Sequence, residues 1–552
     1  MTPENNIKQY ILGHRISLIV VLCLFGLCIQ SSITPRKKRR KTDERVYLIH
    51  SDELRYDQFG NNPEAQIVKG HVQFTHQGAH LWCDSAYFYQ VSNSVKAFGH
   101  VRFKQGDTLS LTCDYADYDG QEQKMAARKN VVLTHRRQVL HTDSLNFDRL
   151  YNYAYFFEGG TLTDAKDKLV SDWGEYHMDT RQAVFYFKVK MKTADRLITT
   201  DTLYYDMAKS MAHVVGPHSK ITTNTSVVNT SDAYYNTKTD KAKLYGRSTL
   251  VDKQKQITGD TLLYVKNGDS YGYGRVVYID KENKNSLLCD KLKYNEKTGN
   301  GYATKHALLK DYSQGPDTLF AHADSIKLFT FNINTDSIYR KVHCYNKVRA
   351  YRTDVQAVCD SLVFNSKDSC MTMYKDPIVW NGGRQILGEV IKVYSNDSTI
   401  RKAEIIGQAL SIEQMPDSIH YNQISSKDMN AYFIQGKIRE AESIGNVRSV
   451  YYPVDDKDTS MIGLNYLETD TMRMYLNPER KLDHIWTCKF TSTLYPMTQI
   501  PPEKEKLDAF AWFDYIRPID KFDIFNWRGK GKDKSLKVIK RREAPLQHLN
   551  SR

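Results

Sequence analysis

The residue types that could do chemistry in this chain are carboxylates and thiols, and both recur. CDSAYFYQ at 83–90 is followed by CDYADYDG at 113–120, and Cys289-Asp290 and Cys359-Asp360 repeat the pair. A carboxylate so placed could act as a general acid or base. An enzyme does not need a dozen such groups. Further copies read SDELRYD at 51–57, TDSLNFD at 142–148, SDWGEYH at 171–177, TDTLYYD at 200–206 and GDTLLYV at 259–265. They continue as CDKLKYN at 289–295, ADSIKLF at 323–329, CDSLVFN at 359–365 and TDTMRMY at 469–475. Looser copies stand at 231–236, with Ser231 in the Asp position, at 388–394 and at 427–433. Iteration on this scale signals architecture, so the chain is read as non-enzymatic, with no catalytic residue assigned.

The thiols give the same answer. Outside the N-terminal apolar run the cysteines are 83, 113, 289, 344, 359, 370 and 488, with no C-x-x-C pair among them. A zinc knuckle or a thioredoxin-type site therefore has no support. Cys83 and Cys113 could bridge adjacent repeats if they stack in register; the alternative is small, semi-buried side chains. The 17 histidines are scattered, and no H-E-x-x-H, G-x-S-x-G or P-loop pattern occurs. No cofactor or metal is expected.

The copies are 29–32 residues apart early in the chain and up to 42 apart after residue 290. A fixed period in this range marks a stacked array and overrides any count of compact domains from length. Each Asp segment is followed by a polar turn, such as DGQEQK or NTKTD, and then by a segment like VKAFGHVRF at 95–103. Glycine recurs near the middle of that second segment, at Gly70, Gly99, Gly159, Gly246 and Gly274. Glycine inside a strand reads as a bulge or sharp bend. One repeat is thus two long, bent antiparallel strands joined by a short turn.

Side chains alternate along a strand, so the residues two and four after the Asp share a face. They are Ala86 and Phe88, Leu145 and Phe147, Leu203 and Tyr205, Leu262 and Tyr264, and Leu292 and Tyr294. The positions between are mixed or charged, such as Ser144 and Asn146 or Lys291 and Lys293. One face is apolar and the other wet, as in antiparallel sheet covering a single interior. The Asp begins the strand and reads as a rim or bend residue that accepts backbone N–H groups.

Bulk composition agrees. In 552 residues there are 37 Tyr and only 14 Pro, a balance that favours strands. The net charge is +14, but the run Arg36–Lys41 and the tail from Arg528 to Glu543 each carry +6. The body is nearly neutral, which excludes a nucleic-acid groove along its length. Lys8 and Arg15 precede an apolar stretch at 16–29, the size of a signal-peptide core. The basic run that follows leaves a retained N-terminal anchor as the alternative. Bulky Leu27 before Cys28 argues against a lipoprotein site.

The iterated Asp-x-(small or Leu)-x-aromatic and aromatic-x-Gly-x-Val segments behind a signal-like start resemble the OstA-like (LptA) lipopolysaccharide-transport family. VKGHVQFTHQGAHLWCDSAYFY at 68–89 carries the likeness most fully. The resemblance implies an all-β fold, an elongated open β-jellyroll of V-shaped, stacked antiparallel strands built from about fourteen ~30-residue repeats. It implies a periplasmic carrier or bridge whose apolar groove shields the acyl chains of lipopolysaccharide or a similar amphiphile on the way to the outer membrane. Its lipid-facing positions would be Ala86, Phe88, Leu145, Phe147, Leu203, Tyr205, Leu262, Tyr264, Leu292 and Tyr294. Its partners would be other lipopolysaccharide-transport proteins, joined by sheet-edge stacking, and no nucleic acid.

The resulting division is 1–32 as signal or anchor, 33–45 as basic linker, 46–410 as OstA-like repeats and 411–500 as divergent repeats of the same array. Residues 501–552 form a C-terminal cap helix and basic tail. The helix rests on 503–516, where Phe510, Phe513 and Ile516 have helical spacing; it would cap the last open sheet edge or dock a partner. An exported β-repeat adhesin or scaffold with a closed core is the rival reading.

Overall fold

The computed structural model describes residues 44–60, 62–313, 317–396, 399–455, 460–479 and 481–529. The signal or anchor segment, most of the basic linker and the basic tail lie outside the described residues. The described residues hold 36 β-strands, a four-residue α-helix and three 3-10 turns. The chain is all-β, and its strands pair antiparallel in jellyroll fashion. It divides into two compact units, at 1–158 and 159–552.

In the first unit six long strands follow one another: Gln66–His76, Ala79–Tyr89, Ser94–Gln105, Leu109–Asp119, Lys124–His135 and Gln138–Asp148. Each pairs with the one before and the one after. Every pairing slips near its middle, for instance between Lys69 and Val72 and between Phe98 and Val101. At the slip one strand of the pair places two successive residues in the left-handed region: Gly70 and His71, Gly99 and His100, Lys129 and Asn130. The strand turns a corner there, and the unit acquires two walls with an interior between them.

The motif Asp sits at this corner, inside the strand rather than at its start. The buried positions change parity across it: Ala79, Leu81 and Cys83 before Asp84, then Ala86 and Phe88 after. The Asp side chain stays outside, over the partner strand's corner. Asp84 accepts from His100 Nδ1 at 2.7 Å, and Asp114 accepts from Asn130 Nδ2 at 2.7 Å. Asp143 accepts a backbone N–H, from Asn130 at 3.1 Å. The expected backbone acceptor is thus mainly a partner for side chains two αL residues long. A Cβ on Gly99, at φ +72°, would stand 2.3 Å from Asp84 Oδ2. Gly99→Ala will therefore destabilise the first unit by about 1–2 kcal/mol through left-handed strain alone. Urea unfolding of the variant checks this, and adding Asp84→Ala will recover only the part due to the clash.

The residue before the Asp points into the corner, where the walls converge. The fourteen occupants are Ser51, Cys83, Cys113, Thr142, Ser171, Thr200, Thr230, Gly259, Cys289, Ala323, Cys359, Gly388, Ser426 and Thr469. All are small, and all but Ser51 are buried. This is why cysteine so often precedes the aspartate: a close-packed interior tolerates little volume where two sheets meet. Gly246 and Gly407 face Ser231 and Glu389 as Gly99 faces Asp84, so the looser copies keep the corner. At 427–433 the register moves by one, because Gly445 faces Lys427 and Asp428 instead accepts from Gly407 N at 2.9 Å.

In many copies a second carboxylate or an amide closes the motif and caps the following turn. Asp119 Oδ1 accepts from Gln121 N and Glu122 N, and Asp148 Oδ1 from Leu150 N and Tyr151 N. Asn236 does the same for Lys238 N and Thr239 N. These are Asx turns, which fix a tight reversal at no packing cost.

The second unit repeats the scheme through strands such as Arg196–Asp206, Met211–Thr223, Ser226–Asn236, Lys241–Asp252, Lys255–Val265, Asp269–Asp280 and Asn285–Asn295. Its last long strand, Gly463–Leu476, pairs with Lys437–Tyr451 on one side and with the short strands Leu482–Thr487 and Phe490–Pro496 on the other.

The helix expected over 503–516 is confined to Pro502–Glu505. Beyond it the chain runs back as an irregular strap along the outer side of one wall. Phe513 and Ile516 are buried there against Val358, Ile378, Trp380, Leu387, Leu410 and Ile412. Three outward glutamines hold it. Gln385 donates to Ala511 O at 2.7 Å and accepts from Phe513 N at 2.7 Å. Gln423 donates to Glu505 O at 2.8 Å and accepts from Leu507 N at 2.9 Å. Gln356 accepts from Arg517 Nε at 2.7 Å. The Gln385 and Gln423 amides offer the strap the donor and acceptor that a neighbouring strand would offer, so extended backbone wins over helix.

Candidate functional site: an apolar trough

The inner faces of the two walls differ along the array. In the first unit they meet. Phe74 lies 5.3 Å from Phe88, and Phe103 lies 6.1 Å from Phe147, ring to ring across the interior. The free tips of the walls are tied by polar groups. His76 Nδ1 and Tyr118 OH are 2.6 Å apart, and Arg149 Nη1 donates to Tyr118 OH at 2.6 Å. Arg149 Nε donates to Gln105 Oε1 at 3.0 Å. Burial, with Arg149 nearby, holds the His76 pKa below the ordinary imidazole range. Ala86, Phe88, Leu145 and Phe147 are all buried in this core.

Leu203 and Tyr205, in the second unit, are equally buried. Tyr205 OH donates to Asp167 Oδ2 on the opposite wall at 3.1 Å. The next tie is a four-residue cluster. Asp240 accepts from Arg196 Nη2 at 2.5 Å, Tyr235 OH at 2.8 Å and Lys266 Nζ at 2.8 Å. The Lys266 ammonium, foremost among these partners, holds the Asp240 carboxyl below its usual pKa.

Past this point the interior opens. Buried Val276, Cys289, Ala303, Ala323, Ile326, Cys344, Cys359, Leu362, Met373, Ile391, Ile405 and Met429 form one continuous floor. Above it Ile257, Leu287, Leu292, Leu309, Val342, Met371, Val379, Ile386, Val393 and Ile424 are only partly buried. Leu262 is buried, Tyr264 is half-buried and Tyr294 is 42% exposed. Tyr264 OH donates to Glu296 on its own wall, at 3.5 Å, where Tyr205 reaches across. The ten positions read from the sequence as inward and lipid-facing are unequally buried. The first six and Leu262 are buried, whereas Leu292 and Tyr264 are half-buried and Tyr294 is exposed. What the sequence reading missed is the wall-to-wall ties; polar Arg196 and Asp167 at the strand starts, where Ala79 and Leu109 stand in the first unit, were the signal.

The thiols are structural. All seven described cysteines are free. Cys83 and Cys113 are separated by the intervening strand Ser94–Gln105 and do not bridge. Burial pushes the Cys83, Cys113 and Cys289 thiols up to about 12, whereas hydrogen bonding led by Thr469 lowers that of Cys488. Iodoacetamide labelling of native protein, read by peptide mass spectrometry, will modify Cys488 at least about tenfold faster than those three. Equal rates would mean the corners are not closed.

Among the described residues no group of three His, Cys, Asp or Glu side chains is arranged to hold a metal. No curated protein matches the chain. Residues 43–201 match the family model described as OstA-like protein.

Proposed function

We propose that this protein is a periplasmic, non-enzymatic carrier that shelters the acyl chains of lipopolysaccharide, or a similar amphiphile, during transport to the outer membrane. The observation that carries the reading is the continuous apolar floor of the second unit with half-open aliphatic and aromatic sides. An ordinary core buries such side chains fully. Here eleven partly buried apolar side chains flank that floor, and acyl chains would cover them, a transfer from water that gains about 0.8 kcal/mol per buried CH2. Tyrosines at the rim, such as Tyr264 and Tyr294, present an apolar ring and a polar hydroxyl to an interface of just that kind. The OstA-like stretch supplies the membrane-assembly context.

Other transport proteins would join at the last sheet edge. Strands Leu482–Thr487 and Phe490–Pro496 pair with Gly463–Leu476 and leave Ile485, Trp486, Phe490 and Leu494 exposed. An uncovered edge of this composition invites strand addition.

Photo-crosslinking tests the reading. A photoreactive residue at Tyr294 or Leu292 will give lipopolysaccharide adducts, and one at Phe88 or Phe147 in the sealed unit will not. Absence of lipid adducts at both trough positions would overturn it. Protein or glycan adducts from the outer wall, with none inside, would establish the adhesin instead.

A further inference from the structure

We infer that Arg196, Tyr235, Asp240 and Lys266 form a latch that shuts the trough at the boundary between its packed and open stretches, and that the latch gates the passage of an amphiphile between them. The inference rests on the carrier reading for its cargo, and on geometry alone for the latch.

Arg196 starts the strand Arg196–Asp206 and stands at the free tip of one wall. Asp240 lies in the turn after Ser226–Asn236, at the free tip of the other, and Lys266 follows Lys255–Val265 at that same tip. The carboxylate of Asp240 is shared: one oxygen takes Arg196 and Tyr235, the other takes Lys266. The Arg196 guanidinium also lies 4.4 Å from the centre of the Tyr235 ring. One side chain thus binds the opposite wall through charge, hydrogen bonding and ring contact at once. Immediately beyond the latch, Ile257 and Tyr264 are only partly buried, and Tyr264 no longer reaches across.

The walls are separable here for a physical reason. Every strand of this stretch completes its backbone hydrogen bonds with its sequence neighbours, inside its own wall. Parting the tips therefore breaks no backbone hydrogen bond. It exposes apolar side chains such as Leu203 and Leu244, which an acyl chain entering between them covers again. The remaining obstacle is the latch. Its groups are at the rim, with side-chain exposures of 12% for Arg196 and 22% for Asp240, so water and ionic headgroups can compete for them.

The test uses the full chain with Leu203→Cys as a reporter inside the closed stretch. Without lipid, maleimide will label this thiol slowly in the native background. Asp240→Asn or Arg196→Gln will accelerate labelling by about tenfold or more, the loss of one charge-assisted contact. The charge swap Arg196→Asp with Asp240→Arg will restore protection. With lipopolysaccharide added, a diazirine residue at Leu203 will form adducts only in the latch variants, while one at Tyr294 labels in every variant. Unchanged Leu203→Cys labelling in both single variants would overturn the latch, whatever the lipid result. Leu203 adducts as strong as those of Tyr294 without any latch change would overturn its gating role. Faster thiol labelling with a silent Tyr294 would keep the latch and sink the carrier reading.

Discussion

Phe147→Ala will lower the stability of the first unit by about 3–5 kcal/mol, whereas Tyr294→Ala will cost less than about 1 kcal/mol in the second. The two positions are equivalent in the repeat, each four residues after its Asp, and differ only in what lies opposite. Phe147 is 1% exposed and meets Phe103 across the interior. Truncation leaves a void that neither wall can fill without moving its corner, and unfilled volume is what makes such substitutions expensive. Tyr294 already faces open space on one side, so its removal forfeits few contacts. Hydrogen exchange of the strands Ser94–Gln105 and Gln138–Asp148 measures the first effect, and that of Asp269–Asp280 and Asn285–Asn295 the second. Comparable losses at the two sites would mean that the second interior is packed like the first.

Gln385→Leu will release the central part of the strap while leaving the sheet intact. The variant keeps the side chain's volume but strands Phe513 N–H and Ala511 C=O without partners, at about 1–3 kcal/mol for each buried group. Trp380 loses its acceptor too, since its Nε1 donates to Gln385 Oε1 at 3.2 Å. A combined weakening of about 2–6 kcal/mol exceeds what a short segment packed by a few side chains withstands. Limited proteolysis will then cut between 505 and 517, and amides of that segment will exchange fast. The control Gln138→Leu, in the first unit, will leave both readouts unchanged. An uncut strap would show that Phe513 and Ile516, in their apolar seat, suffice without the amide.

The corner and the alternation were legible in the residues, and the accessibility of the interior was not. Parity along CDSAYFY and TDTLYYD places Phe88 and Tyr205 inward wherever the strand lies, because side-chain direction is a local property. Gly99 and Gly274 likewise announce a bend, since left-handed backbone is cheap for glycine alone. Whether two walls touch is decided by residues far apart in sequence, such as His76 with Tyr118, and no local pattern encodes their distance. The strap failed for the same reason. Phe510, Phe513 and Ile516 do have helical spacing, but Gln385 and Gln423 supply the backbone partners that favour extended chain. A clue lay in the wall itself: Ile378, Val379 and Trp380 are apolar in succession, so both faces of that strand had to be covered.

The cornered strand has a consequence for the size of the molecule. Many of the hairpins bring a turn-capping Asx, a corner pair and a small residue at the fold line, and pair with the hairpins beside them. Copying or excising one such hairpin lengthens or shortens the reach without redesign elsewhere, as in other arrays bound only by nearest neighbours. The distance a cargo travels on this scaffold is accordingly a matter of how many times the gene has stuttered.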